Sequence, residues 1–324
     1  KYIQFAEQYF TKLYLTEGND VFGRPDREWE YKGKDIGAYV NHDLLVETYT
    51  EKVTGKMLYD LLGKNTVEDY DFDIYIDGET QQSVLKDAGY FTVGNIVKTN
   101  TEKVGATGDG VTTEVYVDVD AKEVTIAIIN TYLAKAEGDY NEKKDEVSFE
   151  VWSVDDVTNK GNLVKDTDAK ETLKVSEDDI DNFDVTTIEE DDIVIVTVAE
   201  GEIQTIAEPE VLEKATITAF KEGSNITVDG EKITYNDSVQ YDDEVLDDYD
   251  DKNLKDTSYN VFLDANGFLI GVEIVDEASE YLFLTGMDGS SSNLTNKNVD
   301  ANVILLDGTM DTVKVNMSKS EDEA

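Results

Sequence analysis

Tyr259-Asn-Val-Phe-Leu-Asp-Ala-Asn-Gly-Phe-Leu-Ile-Gly-Val-Glu-Ile-Val275 reads as a complete β-hairpin. Tyr259, Val261 and Leu263 alternate with polar or turn-compatible residues, Asp264-Ala-Asn-Gly267 supplies the turn, and Phe268, Ile270, Val272 and Ile274 alternate on the return. A period of two puts these side chains on one face, which must be buried against another element. The pattern recurs upstream: residues 114–118 lie over 260–264, and Val124, Ile126 and Ile128 lie over Ile270, Val272 and Ile274. Two such hairpins suggest tandem modules, with 257–324 repeating the pattern of 112–175.

Working outward from the hairpins, the chain divides by texture. Residues 1–107 read as a mixed α+β N-terminal domain. Ile3, Phe5, Ala6, Phe10, Leu13 and Leu15 give one short helical stripe; Met57, Leu58, Leu61 and Leu62 give another, expected to end at Gly63. Gly105-Ala-Thr-Gly-Asp-Gly110 reads as a linker, after which alternating strands dominate. A β module is expected over 108–185. Five short strands between Ile193 and Tyr235, joined by tight turns such as Glu200-Gly201 and Asp229-Gly230, suggest a small closed barrel within 186–256. The acidic run 241–256 then serves as a connector to the last β module, 257–324. The fold class expected is mainly β: tandem small β-sandwich or barrel modules behind the mixed N-terminal segment.

Composition narrows the function classes. In 324 residues there are 28 Lys and Arg against 73 Asp and Glu, a formal net charge of −45. That charge repels nucleic acid and anionic lipid, so neither is an expected partner. With 11 Phe and 18 Tyr the chain can fill ordinary cores, and without cysteine it uses neither disulfides nor thiolate chemistry. It lacks an apolar run long enough to span a membrane, which excludes helical insertion. The opening at Lys1 reads as a processed or excised boundary rather than a signal peptide.

Phe22-Gly-Arg-Pro25 followed by Trp29 and Tyr31, Val53-Thr-Gly-Lys-Met-Leu-Tyr59, the hairpin from Val261 to Ile270, and Asp307-Gly-Thr-Met-Asp311 resemble phrases in large cell-surface proteins of gut Firmicutes that bear surface-layer homology modules. In those proteins such phrases follow the wall-binding modules. The resemblance implies an extracellular, secreted protein of the cell surface or wall. It also implies that cell-wall or surface-layer components are held through modules outside this chain. No complete surface-layer homology module is visible here; only Phe5-Ala-Glu-Gln-Tyr-Phe10 matches the tail of one, so wall anchoring falls on no residue of the chain.

Candidate chemistry is sparse. His42 is the sole histidine, which rules out a multi-histidine zinc site and reads best as an ordinary surface residue beside Asn41 and Asp43. Paired carboxylates arise here by density alone, and nothing in the sequence marks one with the poorly solvated pocket that a glycosidase acid needs. Calcium is the one cofactor with candidate ligands. Asp247, Asp248, Asp250 and Asp251 offer hard oxygens, as does Asp118-Val-Asp120, although counting from Asp248 the sixth position is Asn253 rather than the glycine of an EF-hand loop. The alternative is a solvated acidic loop. The expected function is non-enzymatic, a structural or presenting segment of a surface-layer-like protein. The alternative is an extracellular glycan- or host-protein-binding module using Trp29, Trp152 and exposed tyrosines.

Overall fold

The computed structural model describes residues 13–31, 34–84, 91–152, 170–221, 224–238, 254, 257–275, 283–287, 298–304 and 308–316. It is mainly β and divides into two compact units, Lys1–Val275 and Asp276–Ala324. No described helix is long and apolar enough to cross a membrane.

The first unit opens with an antiparallel meander of β1 (Leu13–Asn19), β2 (Pro25–Tyr31) and β3 (Lys34–Val40). Then come β4 (Leu45–Tyr49), the helix α1 (Gly55–Asp69), β5 (Asp71–Ile76), β6 (Glu79–Thr80), the single turn α2 (Gln81–Val84), β7 (Thr112–Asp118) and β8 (Glu123–Ile129). Their strands form one sheet in the order β4-β7-β8-β5-β6, with β5 and β8 parallel. Thr54 starts α1 by accepting from the Met57 peptide N–H at 3.2 Å, a side-chain cap for one of the donors a helix start leaves open. The first helical segment ends at Gly63 as expected: Gly63 takes φ 77° and ψ 163°, outside the helical region, and beyond this kink a second helical segment runs on to Asp69. Leu58 and Val67 then pack on Ile74, Ile76, Val115, Val124, Ile126 and Ile128 of the sheet. Each such side chain stabilises the fold by about 1.5–3 kcal/mol.

A second sheet has the order β11-β10-β9-β12-β13 and is antiparallel throughout: β9 (Tyr132–Ala136), β10 (Val147–Trp152), β11 (Lys170–Val175), β12 (Ile193–Ala199) and β13 (Glu202–Ala207). Ile180, Val185 and Ile188, from the segment joining β11 to β12, pack with Ala134, Phe149, Val151 and Val196 in its core. Two three-stranded sheets follow. One has the order β14-β18-β19, from β14 (Glu210–Ala215), β18 (Tyr259–Leu263) and β19 (Leu269–Ile274); the other is β15 (Ile217–Lys221), β16 (Asn225–Val228) and β17 (Glu231–Thr234). Ile217, Ile226, Val228, Tyr259, Val261 and Leu269 make a core common to both. The second unit, described by itself, is a meander of β20 (Phe283–Met287), β21 (Asn298–Ile304) and β22 (Met310–Asn316), with Ala301 and Val303 buried.

Three sequence expectations change. The strands between 193 and 235 do not close on one another; they are shared among three sheets, because β12 and β13 extend β9 while β14 turns away to pair with β18. Lys214, at φ 52°, sits within β14 where its register with β18 shifts between Leu212 and Ala215. The hairpins β7–β8 and β18–β19 are both antiparallel, although only the second has a register shift, between Phe262 and Leu263, and they differ in their neighbours, the first lying between β4 and β5, the second beside β14. Residues 105–110 are not a free linker: Thr107, Gly108 and Gly110 are buried, Thr107 Oγ1 accepts from Val53 N at 3.2 Å, and strands from both sides of residue 107 form one sheet.

Candidate functional site

Directly paired residues on neighbouring strands project to the same face, so the register of the N-terminal meander sorts its side chains. Leu15 pairs with Trp29 and Trp29 with Gly37; Glu17 pairs with Arg27 and Arg27 with Tyr39; Tyr31 pairs with Lys34. One face therefore bears Leu15, Glu17, Arg27, Trp29, Tyr31 and Tyr39. Leu15 and Tyr39 are 44% and 46% exposed, and Trp29 and Tyr31 are half-buried. Gly37 puts no side chain beside the indole. The opposite face bears Asp26, Glu28 and Glu30, with Gly18 paired to Asp26.

The loop from β1 to β2 seats this meander on the first sheet. Asp20 Oδ1 accepts from the peptide N–H groups of Phe22 and Arg24 at 3.0 and 2.9 Å, and Asp20 Oδ2 accepts from Arg24 Nε at 2.7 Å. Gly23, at φ +80°, lies against the Tyr75 ring, where a Cβ would come within 2.6 Å of Cδ1. Phe22 packs with Ile129 and Ala199. Arg24 also sits 3.8 Å from Glu114. Burial opposes its charge, but the hydrogen bond and charge of Asp20 outweigh that and hold the guanidinium above its ordinary value.

Between the ends of β1 and β2 in the meander and strands β5, β7 and β8 lies a cavity of about 280 Å³. Glu17, Asp26, Asp73, Asp118 and Glu123 line it, without a lysine or arginine among the lining residues. Asp118 and Glu123 are direct cross-strand partners, an arrangement that like charges disfavour. Asp118 Oδ1 is partly satisfied by the peptide N–H groups of Asp120 and Ala121, both at 2.8 Å. Asp26 differs. It is only 4% exposed, and its Oδ1 is buried without a hydrogen-bond partner. Burial, with Glu28 and Asp20 adding, lifts its carboxyl above its ordinary value against the pull of the Gly18 peptide group.

A second polar assembly joins the sheets of the first unit. Asp77, in the turn after β5, accepts from Asn130 N at 2.8 Å, Asn130 Nδ2 at 2.9 Å and Tyr132 Oη at 2.7 Å, tying the first sheet to the start of β9. Burial raises the Asp77 carboxyl above its ordinary value, and these three donors offset only part of that rise. Burial and the adjoining Asp77 charge push the Tyr132 phenol well up. Beyond Tyr132, Asn236 Nδ2 donates to Thr131 Oγ1 at 3.2 Å and to Asp264 Oδ2 at 2.7 Å, while Ser238 Oγ accepts from Thr131 N at 3.2 Å. Lys103 Nζ reaches Asp237 Oδ2 at 2.9 Å, and Asp109 O accepts from Asp237 N at 2.7 Å. Beside this chain of bonds runs an apolar seam of Leu133, Ile195, Phe262 and Ile270.

The residues singled out in sequence are scattered. Asp247, Asp248, Asp250 and Asp251 lie outside the described residues, and the described residues contain no group of three or more His, Cys, Asp or Glu placed to hold a metal ion. His42 and Asp43 are exposed in a short turn, His42–Leu44. Trp152 is a packing residue: half-buried against the apolar seam, it donates from Nε1 to Glu150 Oε1 at 2.9 Å. Asp26, Asp77 and Asn236 carry no mark in the sequence, because their burial comes from segments far away in the chain; only the Asp77-Gly78 and Asp264-Ala-Asn-Gly267 turn signals lie beside the joint. No protein-family model matches the chain, and it has no significant match among curated proteins.

Proposed function

We propose that this chain is a non-enzymatic structural or presenting segment of a secreted, surface-layer-like protein of the bacterial cell surface. The observation that supports it most is the way three cores are fastened within residues 45–275. Asp77, Asn130, Tyr132, Asn236 and Asp264 form a hydrogen-bonded joint between sheets, and the seam of Leu133, Ile195, Phe262 and Ile270 closes beside it. Such a joint resists relative motion of its parts, since each bond lost leaves a buried polar group unsatisfied. A rigid spacer needs that property. The extracellular location rests on the phrases at 22–31, 53–59, 261–270 and 307–311. The finer architecture that goes with it is a row of small β-sandwich modules, with wall or surface-layer components engaged by modules outside the chain. Antibodies raised against this chain should label intact, unpermeabilised cells of the source bacterium. Labelling that requires lysis overturns the reading.

A second reading, an extracellular glycan-binding module, is favoured by the meander face of Leu15, Trp29, Tyr31 and Tyr39. Flat aromatic side chains on a sheet suit the apolar faces of sugar rings, and neutral glycans are not repelled by a net charge of −45. Saturable binding on a glycan array, lost in Trp29→Ala but kept in Trp152→Ala, would replace the spacer reading with this one.

A further inference from the structure

The cavity beneath the meander combines two features that a purely structural void does not need. Five acidic residues line it without a lysine or arginine among the lining residues, and one of them, Asp26, has an oxygen buried with no partner. A buried polar atom left unpaired costs stability, and a carboxylate costs more than a neutral group. Asp26 Oδ1 lies over Gly18, where a Cβ would come within 3.1 Å of it, so the side-chain-free position opposite leaves room beside this buried carboxyl of the cavity wall. Nearby Arg24 is held by Asp20 and Glu114. Among the described residues, no lysine or arginine lines this wall.

We propose that this cavity binds a small organic cation, a primary ammonium on a short aliphatic stem, with Asp26 as its buried counter-charge. A compact ammonium suits the site better than the alternatives. A divalent metal needs several oxygens converging on one point, and no such group occurs among the described residues. A guanidinium is recognised best by a planar two-oxygen fork, whereas Asp26 offers a single unpartnered oxygen. Pro25, Leu44 and Ala121 add an apolar wall for the stem. A cavity of about 280 Å³ lies just below the ~300–1,000 Å³ usual for ligand pockets, which limits the guest to a diamine or a single lysine side chain. Burial lifts the carboxyl of Asp26 above its ordinary value, and a bound ammonium would draw it back down.

The test is titration calorimetry of the whole chain at about 0.15 M NaCl, where bare surface charge is screened beyond ~8 Å. One arm uses 1,5-diaminopentane and the other Nα-acetyl-lysine amide; the tighter binder shows whether the ammonium arrives as a free amine or on a peptide. Saturable one-to-one binding is expected. Asp26→Asn should weaken it about tenfold or more while melting no lower than the parent chain, because the variant removes an unpaired buried charge. A cavity whose acids serve only the fold would instead show no binding, and Asp26→Asn would melt lower than the parent chain. Glu17→Gln, on an exposed residue, should weaken binding severalfold, and Gly18→Ala should obstruct the approach to Oδ1; these two decide the matter if Asp26→Asn does not fold. Heats no larger than those of added NaCl, binding undiminished in all the variants, or one-to-one displacement of the diamine by calcium would overturn the proposal.

Discussion

Asn236 Nδ2 donates to Asp264 Oδ2 across 2.7 Å in the protein interior, fastening the residue that follows Tyr235 to the turn between β18 and β19. The same amide nitrogen also reaches Thr131, so one side chain spans two sheets. Asn236→Ala leaves Asp264 Oδ2 without this donor and should cost about 2–3 kcal/mol in urea unfolding, as expected for an unsatisfied buried charge. Asn266→Ala, in the exposed part of the same turn, should change stability by less than ~0.5 kcal/mol. Equal effects of the two substitutions would deny the joint its stabilising role.

Two glycines with the same backbone sign separate crowding from conformation. Gly110 has φ +77°, and a Cβ there would strike Asn236 Nδ2 and come within 2.6 Å of Asp264 Oδ2; Gly267 has φ +81° and open space around it. Gly267→Ala should cost only the left-handed backbone term, about 1–2 kcal/mol. Gly110→Ala carries that same term plus an overpacking cost of about 1–3 kcal/mol. Thermal melts of both variants, compared with the parent, measure the difference.

The Asp77 carboxyl should give a pH signature. Its folded value is raised above the ordinary 3.8, so the folded state holds this proton more tightly than the unfolded chain. Its contribution is therefore fully present below the ordinary value and is lost as pH rises through the raised one. The stability of the parent minus that of Asp77→Asn should thus fall as pH is taken upward from 3.8, and a flat difference would show that the carboxyl is not perturbed. Subtracting the variant removes the common contribution of the other acidic residues.

Charge repulsion should be visible in salt. With a net charge of −45, the melting temperature should rise with NaCl as the Debye length shortens to ~10 Å at 0.1 M. A further rise with calcium at equal ionic strength, lost in Asp248→Asn, would assign that increment to the 247–251 acids.

The local structure was legible in the sequence to the extent that it is local. Tyr259 to Ile274 forms the hairpin its alternation announces, and Gly267 takes the positive φ its turn requires. Alternation does not say which strand comes next to a hairpin. β8 is buried on both faces because β5 joins it in parallel from more than forty residues earlier, with α1 over one face and the β1–β2 loop over the other. The cavity was hidden for the same reason: β1, β2, β5, β7 and β8 each supply part of its wall. Asp26 looks in sequence like any other of the 73 acids, and only the packing of Gly18 and its neighbours makes it distinct.

The pairing of β14 with β18 has a consequence for the chain while it is being made. β15, β16 and β17 all lie between those partners in sequence, so β14 emerges long before the strand that covers it. A nascent chain ending short of Tyr259 has an open edge at β14, the kind of edge that recruits strands from other molecules. It also has no Asp264 turn to latch onto the loop at Gly110 and the amide of Asn236. Until that late segment arrives, mutual repulsion between densely acidic chains is the safeguard that keeps half-made copies apart, so the surface charge that weakens the finished fold protects the unfinished one.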